Sequence, residues 1–343
     1  MTHKKISARK PIVLLVLLAP YLLYVWFIVR ADRGPIDYET FMDIGQRLLS
    51  GKEVWGENSY YPMPYVMIFA LFSWLPRPLS MVIWHLGPVL TALAISGWSP
   101  WVLVFAPVFG HMVGGQTAVF ALLGLWAYHR NADPQNWQGG IWLGLTVLKP
   151  QLGLIPTGWA AFQWWKSFRY TKLLPSQMWA WLVMMAVIYL PGFALIPDWP
   201  VHWLSQPRPL FSRALAGFIP RTLLFWMSPT EIAYPLVLLL LSTLLFILLW
   251  ILNKRQITLD LTVFWSFVVS PLVHDYDLIQ LVSILEMKGL RWAAILLSIP
   301  GWLVILFAYR NDAAWYVFSI IAPGLLLFML LSRNRKKSDA SSS

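Results

Sequence analysis

The sequence predicts an all-α polytopic membrane protein, and three observations carry that expectation. Hydrophobic residues fill 58% of the 343 positions and charged residues only 12%, where a soluble domain carries about 25% charged. Apolar runs recur along the whole chain, several of them within the about 17–25 residues that a helical crossing needs. Basic residues gather at the ends of those runs, as at Lys4, Lys5, Arg9 and Lys10, at Lys166, Arg169 and Lys172, at Lys254 and Arg255, and at Lys288 and Arg291. That is the pattern of cytoplasmic loops. The formal charge of +11 is therefore a topology signal, and no nucleic-acid partner is expected. With no cysteine in the chain, disulfides and thiol catalysis are excluded.

Taken in order, the run 11–29 follows MTHKKISARK without a small-residue cleavage site, so it reads as an uncleaved anchor rather than a signal peptide. Clear spans follow at 79–97, 177–197, 229–252, 290–308 and 313–331. Shorter candidates lie at 62–76, 115–129, 139–149, 151–165, 257–272 and 276–287. The sum is a bundle of about twelve transmembrane or partly re-entrant helices. Orienting it by Lys and Arg puts both termini in the cytoplasm and the loops 31–61 and 198–228 outside, with Arg77 and 166–172 inside. Residues 1–331 form one transmembrane domain and 332–343 a solvated cytoplasmic tail. Two interruptions, GHMVGGQ at 110–116 and Lys149-Pro150, fall inside apolar stretches. Broken backbone at membrane depth survives where it is buried in protein or lines a wet cavity. Both breaks are expected to face a cavity open to the outside, ordinary kinks being the alternative.

The loop 31–61 gathers much of the acid. With Asp32, Asp37, Glu39, Asp43, Glu53 and Glu57, the segment 31–64 holds six of the fifteen carboxylates. Tyr38, Phe41, Met42, Gly45, Leu48 and Leu49 recur at helical spacing, opposite Glu39, Asp43, Gln46 and Arg47. This predicts an amphipathic helix over 38–50 lying on the outer membrane surface. Asp37 precedes it, and two roles are open: a helix cap worth about 1 kcal/mol, or a general base at the membrane surface.

Other polar residues stand in apolar company. Lys149, in TVLKPQLGL, costs about 2.5–3.5 kcal/mol at mid-membrane; it is either a phosphate-binding group or a snorkelling helix-end lysine. Arg208, Arg213 and Arg221 in the second outer loop suit a bound phosphate or a lipid-headgroup surface. In SPLVHDYDLIQ, His274, Asp275 and Asp277 are too few for a metal set without further ligands, so a cavity lip or polar turn is expected there and no metal. Gln116 offers uncharged donors at cavity depth.

These pieces resemble the GT-C superfamily of membrane glycosyltransferases, and within it glycosyltransferase family 87, bacterial polyprenyl-phosphate-mannose-dependent α-mannosyltransferases. Four ordered signatures carry the likeness over about residues 20–290. They are IDYETF…LLSGKEVW with YYPMP, GGQTAVFALLGL, GIWLGLTVLKP and SPLVHDYDL. The resemblance implies a GT-C-like fold and transfer of a hexose, mannose first, or a pentose, with inversion. The donor is a polyprenyl-phosphate sugar and the acceptor a glycolipid or glycan on the outer face, with no cofactor. It makes Asp37 the catalytic base, with Lys149, Arg208, Arg213, Arg221 and His274 on the donor phosphate. Tyr60, Tyr61, Gln116, Asp275 and Asp277 are assigned to substrate. The chain departs from the pattern at Tyr60-Tyr61-Pro62-Met63-Pro64, which is not a double proline. Thr117 replaces a common asparagine, and 273–276 lacks the usual tryptophan or paired histidine. A transporter or flippase of lipid-linked sugars shares the broken helices, and a non-catalytic subunit of polysaccharide assembly is a third reading.

Overall fold

The computed structural model describes residues 9–56, 59–206, 217–308, 311 and 313–341. Among them every regular element is helical. Four helices are long and apolar enough to cross a bilayer: α1 (Arg9–Arg30) from Pro11, α4 (Arg77–Ile95), α10 (Ser176–Leu195) and α13 (Ala233–Leu252). All four fall where the sequence predicts a span, and together they suggest a multi-pass membrane protein. α1, α10 and α13 turn most of their apolar surface outward, which in a multi-pass protein faces lipid. Between these run shorter pieces, α2 (Ile36–Leu49), α3 (Met63–Trp74), α5 (Trp101–Val104), α6 (Ala106–Gly114), α7 (Val119–Arg130) and α8 (Trp137–Thr146), and the long but less apolar α9 (Pro150–Thr171). After α10 come α11 (Trp199–Ser205) and α12 (Phe218–Leu223). α14 (Leu259–Val269), a 3-10 helix (Asp275–Leu281), α15 (Val282–Lys288), α16 (Arg291–Phe307), α17 (Tyr316–Ser319) and α18 (Ile321–Ser341) complete the chain.

The segment 31–76 departs from expectation in two ways. α2 does not rest its apolar face on lipid. Tyr38, Phe41, Met42 and Ile44 are buried, Phe41 stacking on Phe69 of α3 at 4.5 Å. At Gly45 an added Cβ would strike Ser73 and the backbone of Phe69, so glycine is what lets α2 and α3 touch. The pair forms its own aromatic core beside the main one. The second correction concerns 62–76. α3 has twelve residues, about 18 Å at 1.5 Å each, short of a 30 Å hydrocarbon core. Arg77 ends on the α2 side of the bundle, its Nε 2.9 Å from Asp32 Oδ1 and its Nη2 2.6 Å from Glu39 Oε1. The expectation that Arg77 lies inside, opposite the acidic loop, is therefore wrong. α4 starts at the α2 end, and α5 and α6 return through the stretch 98–114.

The far end of the bundle has its own ionic cluster. Asp260 of α14 lies 2.8 Å from His129 of α7 and 2.5 Å from Lys288 of α15. Glu286 accepts from the Trp101 indole at 3.1 Å and pairs with Arg291.

α8 carries the tightest helix contact, against α10. Gly140 and Gly144, a small-xxx-small pair, face α10. A Cβ at Gly140 would fall on the Gln177 carbonyl oxygen, and one at Gly144 would come 2.6 Å from Met184 Cγ. Gln177 itself is buried and fully used. Its amide donates to the carbonyls of Asn131 at 2.9 Å and Asp133 at 3.0 Å, and its oxygen accepts from Trp164 at 2.6 Å. Gly140→Val is expected to force α10 away at an overpacking cost of about 1–3 kcal/mol. A lower Tm of the detergent-solubilised protein is the measurement, and an unchanged Tm would show that this contact has slack.

A candidate acid–base site at the α2 end

The site starts from the first turn of α2. Gly34-Pro35 brings the chain off α1 and starts the helix, with Pro35 at the N-cap position and no side-chain cap. Asp37 is thus inside the helix, not its cap. Arg77 fixes this turn from below through Asp32 and Glu39, and Glu39 Oε1 also accepts the Gly34 amide at 2.5 Å. Asp43 pairs with Arg47 at 2.7 Å. Three acids of the loop thus serve as local struts, Glu53 lies exposed, and Glu57 is outside the described residues.

Asp37 has a different kind of partner. Its Oδ2 accepts from Gln116 Nε2, 79 positions along the chain. Gln116 is brought there by the first predicted break. α6 closes on Gly115 in the left-handed region at φ 62°, a conformation glycine adopts without penalty. A Cβ at Gly115 would come within 3.0 Å of His85 and 3.1 Å of Tyr38, so the turn is pressed against α2 and α4. The Trp84 indole donates to the Gly115 carbonyl at 2.7 Å and pins it.

The second predicted break supplies the cation. Lys149 is the last of the three residues between α8 and α9, with Pro150 opening the new helix. It is only 4% exposed, and its ammonium pairs with Asp277, itself 0% exposed. The ammonium also sits 4.9 Å above the Tyr276 ring, a cation–π distance. The other oxygen of Asp277 accepts the His274 amide at 3.0 Å, as part of a capping box that starts the 3-10 helix. The anion compensating Lys149 is therefore within the chain.

The electrostatics follow from this enclosure. Asp37 is open to solvent on one side, while protein mass surrounds the other. Burial pushes its carboxyl above the ordinary carboxylate range, against the Lys149 charge and the Gln116 amide, which both favour the anion. Burial and then the charge of Asp277 push the Asp275 carboxyl up to about 7.

Of the sequence-predicted residues, Asp37, Gln116, Lys149, Asp275 and Asp277 come together. Tyr61 joins them through Phe41, 4.9 Å away centroid to centroid, and through the field of Asp37 and Asp277. His274 starts the 3-10 helix and stacks near Tyr276 at 5.1 Å. Tyr60 is bound elsewhere, its carbonyl accepting from Trp203 of α11 at 2.9 Å. Arg221 is on α12, which packs on α13, α14 and α17 rather than on the helices around Asp37. Arg208 and Arg213 lie outside the described residues. Two site residues went unpredicted. Tyr276 lies under Lys149, and His111 on α6 is fully buried, its carbonyl accepting the Gln116 backbone amide at 3.2 Å. A histidine one turn ahead of Gly115-Gln116, in a run already marked as broken, was the available signal.

Several buried polar atoms here have no hydrogen-bond partner among the described residues: both His111 ring nitrogens, Gln116 Oε1, Thr117 Oγ1 and Asp275 Oδ1. No group of three or more His, Asp or Glu comes together as a metal set among those residues. Chemically, the arrangement offers a solvent-reachable carboxylate of raised proton affinity, an amide that orients it, and a buried cation whose field reaches it. Comparison of the chain with family models, with curated proteins and with solved structures gives no match.

Proposed function

We propose that the chain is a GT-C-like membrane glycosyltransferase that moves a sugar, mannose first among candidates, from a polyprenyl phosphate to a hydroxyl acceptor. Its α2 end faces the extracytoplasmic side. Arg130, next to His129, and Lys288 and Arg291 gather at the far end marked by the Asp260 and Glu286 pairs, which supports cytoplasmic placement of that end and of both termini. With α5–α6 taking the crossing that α3 does not make, the bundle still has about twelve crossings or re-entrant passes.

One observation carries the reading. Three segments marked independently along the sequence meet at one carboxylate, Asp37, which Gln116 holds by hydrogen bond and Lys149 reaches through its field. In the reaction the acceptor oxygen attacks the anomeric carbon as its proton passes to Asp37. The bond from that carbon to the phosphate oxygen breaks, and the electron pair leaves with the polyprenyl phosphate. An ammonium has three N–H donors; Asp277 takes one from Lys149, and the others serve the developing charge on the leaving phosphate. Arg221, with Arg208 and Arg213 of the same outer loop, draws the anionic donor to this face. The open hydrogen-bonding capacity of His111, Asp275 and Gln116 suits the hydroxyls of a sugar ring.

The test uses proteoliposomes loaded with radiolabelled polyprenyl-phosphate mannose. Transfer of label to an added mannoside is the expected result. Counterflow of the lipid-linked sugar with no glycoside formed would replace this reading with that of a flippase, whose broken helices look alike.

A further inference from the structure

Behind α2, on the face of that helix opposite Asp37, lies a bay of about 340 Å³, at the small end of ligand pockets. Its charged wall residues are Glu39 and Asp43, one turn apart on α2, and Arg77 at the start of α4. Glu39 Oε1 takes Arg77 Nη2 and the Gly34 amide, Asp43 Oδ2 takes Arg47, and Arg77 spends Nε and Nη2 on Asp32 and Glu39. These bonds leave Glu39 Oε2, Asp43 Oδ1 and Arg77 Nη1 unused. The bay also continues into the membrane. Ser80 lines it on α4, and the same face of α4 runs on through Ile83, Gly87 and Thr91. There it walls an apolar groove of about 210 Å³ shared with Val119 and Leu123 of α7. The Phe72 ring lines both spaces. No atom lies within 4 Å of where a Cβ on Gly87 would stand, so this glycine does not serve close helix packing as Gly140 and Gly144 do. A glycine inside a helix weakens it; here it leaves the floor of the groove open. Beside the bay, Leu71, Trp74 and Leu79 are exposed, apolar surface of the kind that meets lipid at the interface.

We propose that a phosphatidylethanolamine from the leaflet at the α2 end binds here as a resident lipid, not as a substrate. Its ammonium lies between Glu39 and Asp43, its phosphate meets Arg77, and one acyl chain runs along α4 over Gly87. The lining selects the headgroup. Two carboxylates against one guanidinium repel an anionic headgroup. A choline headgroup has no N–H to give those carboxylates, whereas a primary ammonium has three donors. The groove supplies fit rather than selectivity, because the bilayer around it is as apolar as its walls. This site stands apart from the glycosyltransferase reading. Its link to Asp37 is mechanical, since Arg77 and Glu39 also hold the first turn of α2.

The test reads lipid binding itself, by native mass spectrometry of the delipidated full chain with palmitoyl-oleoyl phosphatidylethanolamine, phosphatidylcholine or phosphatidylglycerol. One ethanolamine lipid per chain is expected, held about threefold more tightly than either of the others, the scale of an exposed charge pair. Asp43→Asn should remove most of the preference over phosphatidylcholine. The Tm of the lipid-free protein should barely move, because the Asp43 side chain is 57% exposed. Gly87→Phe should fill the groove and weaken phosphatidylethanolamine binding by about threefold or more. In nanodiscs, phosphatidylethanolamine carrying a mid-chain diazirine should label 87–91 and 119–123 in the wild type and lose that label in Gly87→Phe. Equal affinities for the three lipids, or tighter binding of phosphatidylglycerol, overturn the inference. So does labelling spread over α1, α10 and α13 that ignores Gly87→Phe. Displacement of the bound ethanolamine lipid by one equivalent of C55 polyprenyl phosphate would give the groove to the sugar donor and overturn it as well.

Discussion

Asp37→Asn is expected to lower kcat about 10²–10⁴-fold, the usual contribution of a positioned general base, while the protein keeps its fold. The change preserves shape, and α2 is held by contacts that do not involve this carboxylate: the Phe41–Phe69 stack, the Tyr38 hydroxyl donating to Ser80 at 2.9 Å, and the Arg77 clamp. Gln116 Oε1 has no partner in the wild type, so a flip of that amide lets it accept from the new carboxamide. The pH profile separates a base from a mere strut. The base acts as the anion, and burial raises its pKa. Wild-type kcat/KM should therefore fall as pH drops through a point above the ordinary carboxylate range, near 4. The Gln116 amide favours the anion, so Gln116→Leu should raise that pKa further and move the limb to higher pH. Turnover of Asp37→Asn within a few-fold of wild type, with labelled lipid-linked sugar and purified protein, rules the assignment out. A limb that stays put in Gln116→Leu would mean that another group is titrating.

How much of this could be seen in the sequence depends on the range of each force. The long helices were legible because bilayer thickness imposes a length on apolar runs, as at 177–197 against α10 and 229–252 against α13. The amphipathic stretch of α2 was legible from its 3.6 period, and the breaks at Gly115 and Lys149 from glycine and proline chemistry. What covers an apolar face was not legible. The periodicity of α2 is the same whether lipid or α3 lies against it, and the complementary feature, the close approach at Gly45, appears only once α3 is folded back. Arg77 misled for a related reason. Counting Lys and Arg assumes that each charge is read alone, whereas Arg77 is neutralised locally by Asp32 and Glu39. The pairing of Lys149 with Asp277 spans 128 positions. No local pattern sets that partner, so the lysine and the aspartate entered as separate candidates with separate roles.

That pairing yields the second large effect. Lys149→Met should be strongly destabilising, because it leaves Asp277 as an anion at 0% exposure with the His274 amide as its remaining donor. Breaking a buried pair from one side costs about 3–5 kcal/mol. Asp277→Leu should cost a similar amount, since it strands the ammonium and also removes the capping box of the 3-10 helix. The double variant removes both charges and strands neither partner, so it should be no less stable than either single variant, which requires a coupling of at least about 3 kcal/mol. Its Tm, measured beside the two single variants, tests this, and additive losses would mean the pair contributes nothing as a pair. Activity should part company with stability in the same set. Lys149 favours the Asp37 anion, and in the proposed reaction it meets the leaving phosphate. The double variant should therefore fold yet stay at least tenfold slow. If it recovers turnover along with Tm, the ion pair is a structural brace and Lys149 does not meet the phosphate.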